Sequence, residues 1–263
     1  MDWASIIGAA VSGALAGGIV ALVGRYRPTG GTAQGVIFAI AFTVLGVVAS
    51  EWAVPLYRSY ALEKSLLDLP AYREIALADP DAYSRIVAAL KQGANDRARL
   101  SQAVAQSRGV VGEVAMRHIP RASNEVVAAY AATMVDELDQ LARADPELCY
   151  AFLFPQQGPA RDFGQRLEEA TQKRDLEQLA QVIRSARTAP QPIPRADQAE
   201  PLLVRVRSRL AQDFDDDLNL LGKAQHAPGE RSKVCNVARA LYKQIGSLPV
   251  EQSGTAFRYL FGS

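Results

Sequence analysis

The sequence predicts an all-α protein, with an N-terminal two-helix transmembrane hairpin followed by a multi-helix soluble bundle, and three observations carry that expectation. Two stretches of 22 residues each, Trp3 to Gly24 and Val36 to Tyr57, are long and apolar enough to span a bilayer. Beyond them, helix-start signals and apolar stripes of 3.6-residue period recur along the chain. No stretch keeps up the period-two alternation of a half-buried strand, so no significant sheet is expected.

The charge distribution separates the two parts. Residues 1–57 hold only four charged side chains, Asp2, Arg25, Arg27 and Glu51, whereas 58–263 is charged like an ordinary globular domain. The mean hydropathy of -0.03 is therefore an average over two solvents. Over the whole chain 29 Lys and Arg oppose 28 Asp and Glu. Neutralising phosphates needs a basic excess on one face, so this balance argues against a nucleic-acid partner.

Each apolar run covers the ~30 Å hydrocarbon core at ~1.5 Å rise per residue, which makes the lipid bilayer the first expected partner. A cleaved signal peptide is the rival reading of the first run. It fits poorly, because signal peptides open on basic residues and have a core of only ~7 to 15 residues. The stretch from Arg25 to Gly35, with Pro28, Gly30 and Gly31, reads as a tight polar turn between the helices. Trp3, Trp52 and Tyr57 at one level and Tyr26 at the other stand where interfacial anchors belong. Glu51 lies inside the second run, and an acid at membrane depth marks a functional site by default. Its neighbours Trp52, Pro55 and Arg58 instead assign it to the headgroup level, with the interface residues.

In the first helix Ser5, Ala9, Gly13, Gly17 and Ala21 recur every fourth residue and share one face. Small residues let two helix backbones approach closely in lipid, so this stripe is a packing surface. It can pack against the second helix of its own chain or join chains in a homo-oligomer, and the two can coexist. The stripe resembles the glycine-zipper pattern of some oligomeric membrane proteins, which implies self-association.

In 58–263, Asp79-Pro80 and Asp145-Pro146 each place a capping acid before a proline at the first helical position. Ser123 with Asn124 opens a further helix. Val126, Val127, Tyr130, Met134, Leu138 and Leu141 form a stripe with Asp136, Glu137 and Asp139 off it. Leu176, Leu179, Val182, Ile183 and Ala186 form a second; Leu203, Val206, Leu210 and Phe214 a third; Val234, Val237, Leu241, Ile245 and Leu248 a fourth. A proline-rich linker near 188–201, with Pro190, Pro192, Pro194 and Pro201, precedes the last helices, whose apolar faces still need burial. A single soluble domain is expected.

No catalytic residue, cofactor site or metal site is assigned. Neither His118 nor His226 sits in a metal-binding helix motif, and no nucleophile elbow, Walker loop or dinucleotide fingerprint occurs. Asp213, Asp215, Asp216 and Asp217 open like a calcium loop. Leu218 at the sixth position and Ala224 at the twelfth break the match, so a solvated helical face is expected. Cys149 and Cys235 lie among apolar neighbours, too few for a disulfide scaffold but able to form one bridge.

A hairpin puts both chain ends on one side. Arg25 and Arg27 in the short turn are denser than Arg58, Lys64 and Arg73 behind the second helix, which favours a cytoplasmic turn. This places 58–263 on the non-cytoplasmic side of the membrane, an inner membrane if the source is bacterial, where Cys149 and Cys235 would pair. The expected function is a membrane-anchored, non-enzymatic helical module that binds a protein partner or assembles with itself. The alternative is an oligomeric pore or channel subunit gated by its helical domain. Ser5, Ser12, Thr43 and Ser50 supply little polar surface for an aqueous path.

Overall fold

The computed structural model describes residues 54–93, 97–154, 163–226 and 228–262. The stripe of Ser5, Ala9, Gly13, Gly17 and Ala21, the residues Trp3, Tyr26, Glu51 and Trp52, and the expected hairpin up to residue 53 lie outside that description. Among the described residues no helix is long and apolar enough to cross a membrane.

Every regular element among the described residues is helical, so this part of the chain is all-α. The α-helices are α1 (Val54–Asp68), α2 (Pro70–Ala78), α3 (Pro80–Gly93), α4 (Arg97–His118), α5 (Asn124–Ala144), α6 (Pro146–Leu153), α7 (Glu169–Thr188), α8 (Ala196–Phe214), α9 (Arg231–Gly246) and α10 (Val250–Gly262). Short 3-10 turns occupy Ile119–Arg121, Gly164–Arg166, Asp215–His226 and Pro228–Glu230. The chain divides into two compact units, Met1–Leu62 and Glu63–Ser263. Tyr57 lies in the first turn of α1.

The predicted starts are the observed ones, for the capping reason given. Asp79 Oδ1 accepts from the Ala82 amide at 2.9 Å, and Asp145 Oδ1 from the Glu147 amide at 2.8 Å. Ser123 caps α5 by accepting from Val126 N–H at 3.5 Å. These side chains satisfy amides that a helix start leaves without partners. The amide of Ala82 is also the foremost reason the Asp79 carboxyl is held below the usual range, with Arg117 adding to it.

Two expectations need correction. The proline-rich linker is shorter than 188–201, because α8 starts at Ala196 and carries Pro201 inside it. Gln198 accepts from the Arg195 amide at 2.9 Å and Arg195 grips Asp197 through two bonds, so the helix start is fixed ahead of the proline. The acidic group is not one helical face. Helix α8 ends at Phe214, and Asp215 takes φ 35°, a left-handed value that Asp tolerates better than most side chains. Asp215, Asp216 and Asp217 then begin a 3-10 turn.

The core sits where the stripes meet. Ile75, Ile86, Val114, Val127, Leu179, Val182, Ile183, Val206, Ile245 and Phe257 are buried in one cluster drawn from α2, α3, α4, α5, α7, α8, α9 and α10. Helix α5 is central: it packs against α6, α7, α9 and α10, while α3 pairs with α4 and α2 lies on α7.

Candidate functional site

The first feature is a disulfide. Cys149 in α6 and Cys235 in α9 are joined, with Cα atoms 5.9 Å apart and a sequence separation of 86. Both are fully buried, in a second cluster with Leu138, Leu141, Phe163 and Leu167. Along the same α6 and α9 seam Arg231 pairs with Glu147 at 2.9 Å and lies over the Tyr150 ring, 5.2 Å from its centroid. The bridge takes up both sulfurs, so no free cysteine remains for thiol chemistry.

The second feature is a pair of carboxyls on facing helices. Glu137 of α5 is 3% exposed. Asp175 of α7 is half-buried, and its charge acts on Glu137. Burial, then the charge of Asp175, push the Glu137 carboxyl up to about 9. Burial pushes Asp175 up to about 6, with Arg108 working against it. Arg108 comes from α4 and lies over the Phe163 ring at 5.3 Å, so one guanidinium links the pair to the disulfide cluster. Tyr72 and Tyr130, in the field of Asp175, have their phenols raised mainly by burial. Gln178, one turn along α7 from Asp175, carries a buried carbonyl oxygen without a partner. Burial disfavours the charged form of a carboxylate, which is the direction both acids show.

Hydrogen bonds fasten the seam of α5 and α7 beside Glu137. Arg174 meets Asp136 at 2.7 Å. Gln140 donates to Thr171 Oγ1 at 2.8 Å and accepts from the Glu168 amide at 2.8 Å.

The third feature is an open cleft of about 370 Å³ between the proline segment and α10, lined by residues such as Pro192, Pro194, Leu202, Gln252 and Arg258. Arg258 is only 5% exposed. It donates to the carbonyl of Pro120 at 3.2 Å, to Asn124 Oδ1 at 2.9 Å and to the carbonyl of Pro192. Its guanidinium is thus spent on the chain itself, tying the proline segment to the start of α5.

Of the residues singled out in the sequence, the structure brings Cys149 and Cys235 together. His118 stands at the end of α4 with Nδ1 2.8 Å from the Val114 carbonyl oxygen, as a histidine at a helix C-terminus can. Among the described residues no group of three or more His, Cys, Asp or Glu is placed to hold a metal ion. Glu137 was assigned to the polar side of α5, and the structure buries it. The signal was in the spacing, because position 137 lies three after Met134 and four before Leu141 and so falls on the stripe itself.

Together these features define a disulfide-stapled helical bundle with a buried acid pair beside the staple. No protein-family model, curated protein or solved structure matches the chain.

Proposed function

We propose that the protein is a membrane-anchored, non-enzymatic helical module that assembles with itself or with another protein at the membrane surface, its helical unit on the non-cytoplasmic side. The observation that carries this reading is the Cys149–Cys235 bridge, buried in the unit that follows the two membrane-length apolar runs. Structural disulfides persist in oxidising compartments and are rare in a reducing cytosol. The small-residue stripe from Ser5 to Ala21 supports assembly through the first helix.

Two measurements on the full chain test it. In mild detergent, light scattering should give a mass above the monomer, and Gly13→Leu with Gly17→Leu should lower it. A monomer in both removes self-assembly from the reading and leaves a different protein partner. In intact spheroplasts, a membrane-impermeant thiol reagent should label Cys149 and Cys235 only after reduction under denaturing conditions. Labelling that needs lysis but no reductant would place free thiols in the cytoplasm and overturn the location.

A further inference from the structure

The corner where α1 passes into α2 carries three exposed leucines, Leu67, Leu69 and Leu77. Helix α2 turns Ala71, Glu74 and Ile75 inward, and Glu74 meets Arg184 and Arg187 of α7 on that side. Leu69, Arg73 and Leu77 follow one another at four-residue spacing, which puts them on the opposite, outer side. Leu67 is held beside them: Arg73 Nε donates to its carbonyl at 3.0 Å, and the Arg73 amide donates to the carbonyl of Leu69 at 3.1 Å. The other exposed large aliphatic side chains among the described residues, Leu100, Met116, Ile193, Val204 and Val250, are dispersed over α4, the proline segment, α8 and α10. Dispersed apolar side chains are ordinary on a protein surface, whereas a group of them marks a surface that meets something else.

The charges at the corner narrow the partner. Within 64–77 the exposed charged side chains are Lys64, Asp68 and Arg73, Glu74 being buried. Leucines that can enter an apolar layer, beside long basic side chains that can reach its anionic edge, suit a helix surface that lies on lipid.

The course of the chain points the same way. The apolar run Val36 to Tyr57 ends in the first turn of α1, and this corner is what the chain reaches first beyond it. Leu67 comes ten residues after Tyr57, about 15 Å along a helix. An upright α1 would carry it past the headgroup layer, roughly 5 to 8 Å deep, so contact with lipid requires a helix that leans along the surface. Pro55, the second residue of α1, has no amide to donate to a preceding turn, and a helix entering there can change direction.

We propose that the corner formed by Leu67, Leu69, Arg73 and Leu77 rests in the headgroup layer of the bilayer, its leucines toward the acyl chains and Arg73 and Lys64 at the phosphates. This contact rests on the membrane anchoring proposed above and adds a second attachment to it.

The test uses the full chain in liposomes of phosphatidylcholine and phosphatidylglycerol. An environment-sensitive dye is attached through Leu77→Cys and, in a separate protein, through Val204→Cys on α8, two positions of nearly equal exposure at 61% and 63%. The bridge between Cys149 and Cys235 leaves the introduced thiol as the one that is labelled. Lipids carrying a spin label in the upper acyl chain should quench the dye at position 77 and leave the dye at 204 bright. Equal quenching at both positions, or none at 77, overturns the contact. A dye at 77 that is shielded from water yet not quenched by lipid places a protein on the corner and overturns it too. Flotation separates this contact from the anchoring. Protein that floats with the liposomes and resists alkaline extraction, with 77 unquenched, keeps its anchor and lacks the contact; protein that does not float loses both. Should Leu77→Cys fail to fold, Leu67→Cys takes its place with the same outcomes.

Discussion

Gly254 of α10 lies so close to Asn124 at the start of α5 that a Cβ built on it would stand 2.5 Å from Asn124 Cβ, and nearer still to the Asn124 Cα and carbonyl oxygen. Two of those atoms are backbone, which cannot rotate aside as a flexible side chain can. Gly254→Ala should therefore push the helices apart and cost roughly 1–3 kcal/mol. The midpoint of denaturant unfolding of the full chain measures it. An unchanged midpoint would mean that α10 does not seat on α5 in this way.

Gly109 and Gly112 are the counterexamples. Both lie inside α4, and a Cβ at either would meet nothing within 4 Å. A helix-interior glycine is disfavoured relative to alanine because the unfolded chain has more freedom to lose. Gly109→Ala and Gly112→Ala should each raise stability by roughly 0.5–1 kcal/mol. Melting of the single and double variants checks the sign, and the two effects should add.

The Cys149–Cys235 bridge closes a long loop. In the chain-entropy account, a cross-link between residues 86 apart in sequence constrains the unfolded chain by on the order of 4 kcal/mol. The Cys149→Ala, Cys235→Ala pair should lose up to that amount, and reductant should destabilise wild type while leaving the double variant unchanged. Equal melting of oxidised and reduced wild type would dismiss the bridge as a staple.

Arg258 ties three acceptors that no other described side chain reaches: the Pro120 and Pro192 carbonyls and Asn124 Oδ1. Arg258→Met keeps the apolar stem and removes every donor, leaving the buried Pro120 carbonyl unpaired at roughly 1–3 kcal/mol, while the half-buried Asn124 and the exposed Pro192 lose a bond that water can partly replace. The expected loss is on the order of 3 kcal/mol, with faster proteolytic nicking of the segment 189–195 than in wild type. Nicking at the wild-type rate would show that Pro192 is held by something else.

Glu74 of α2 is buried and accepts from Arg184 at 2.8 Å and Arg187 at 3.1 Å, both on α7. Because the two guanidinium groups are 56% and 39% exposed, solvent screens much of the attraction. Glu74→Gln should cost about 1 kcal/mol, and the difference from wild type should shrink as salt rises. A loss that does not respond to salt would point to packing rather than charge.

What the sequence by itself determined is what neighbours in sequence control. Asp79-Pro80, Asp145-Pro146 and Ser123 fixed three helix starts, since a cap acts on amides two or three residues away. The stripes through Leu138 and Leu141, Val182 and Ile183, and Val234 and Val237 marked the faces that became core, since a helix repeats its own surface every 3.6 residues. The same local logic misplaced the end of the linker and the acidic group, where a proline sits inside α8 and Asp215 breaks it. Only the tertiary structure decided that Cys149 meets Cys235, that Arg258 holds Pro192, and that Glu137 is covered by α7 while Asp139, two residues on, is half-exposed and paired. Burial penalises a charge only once another helix excludes its water, and which helix does so depends on chain segments tens of residues apart. The 3.6-residue spacing could put Glu137 on the inward face; it could not say which helix would cover it there.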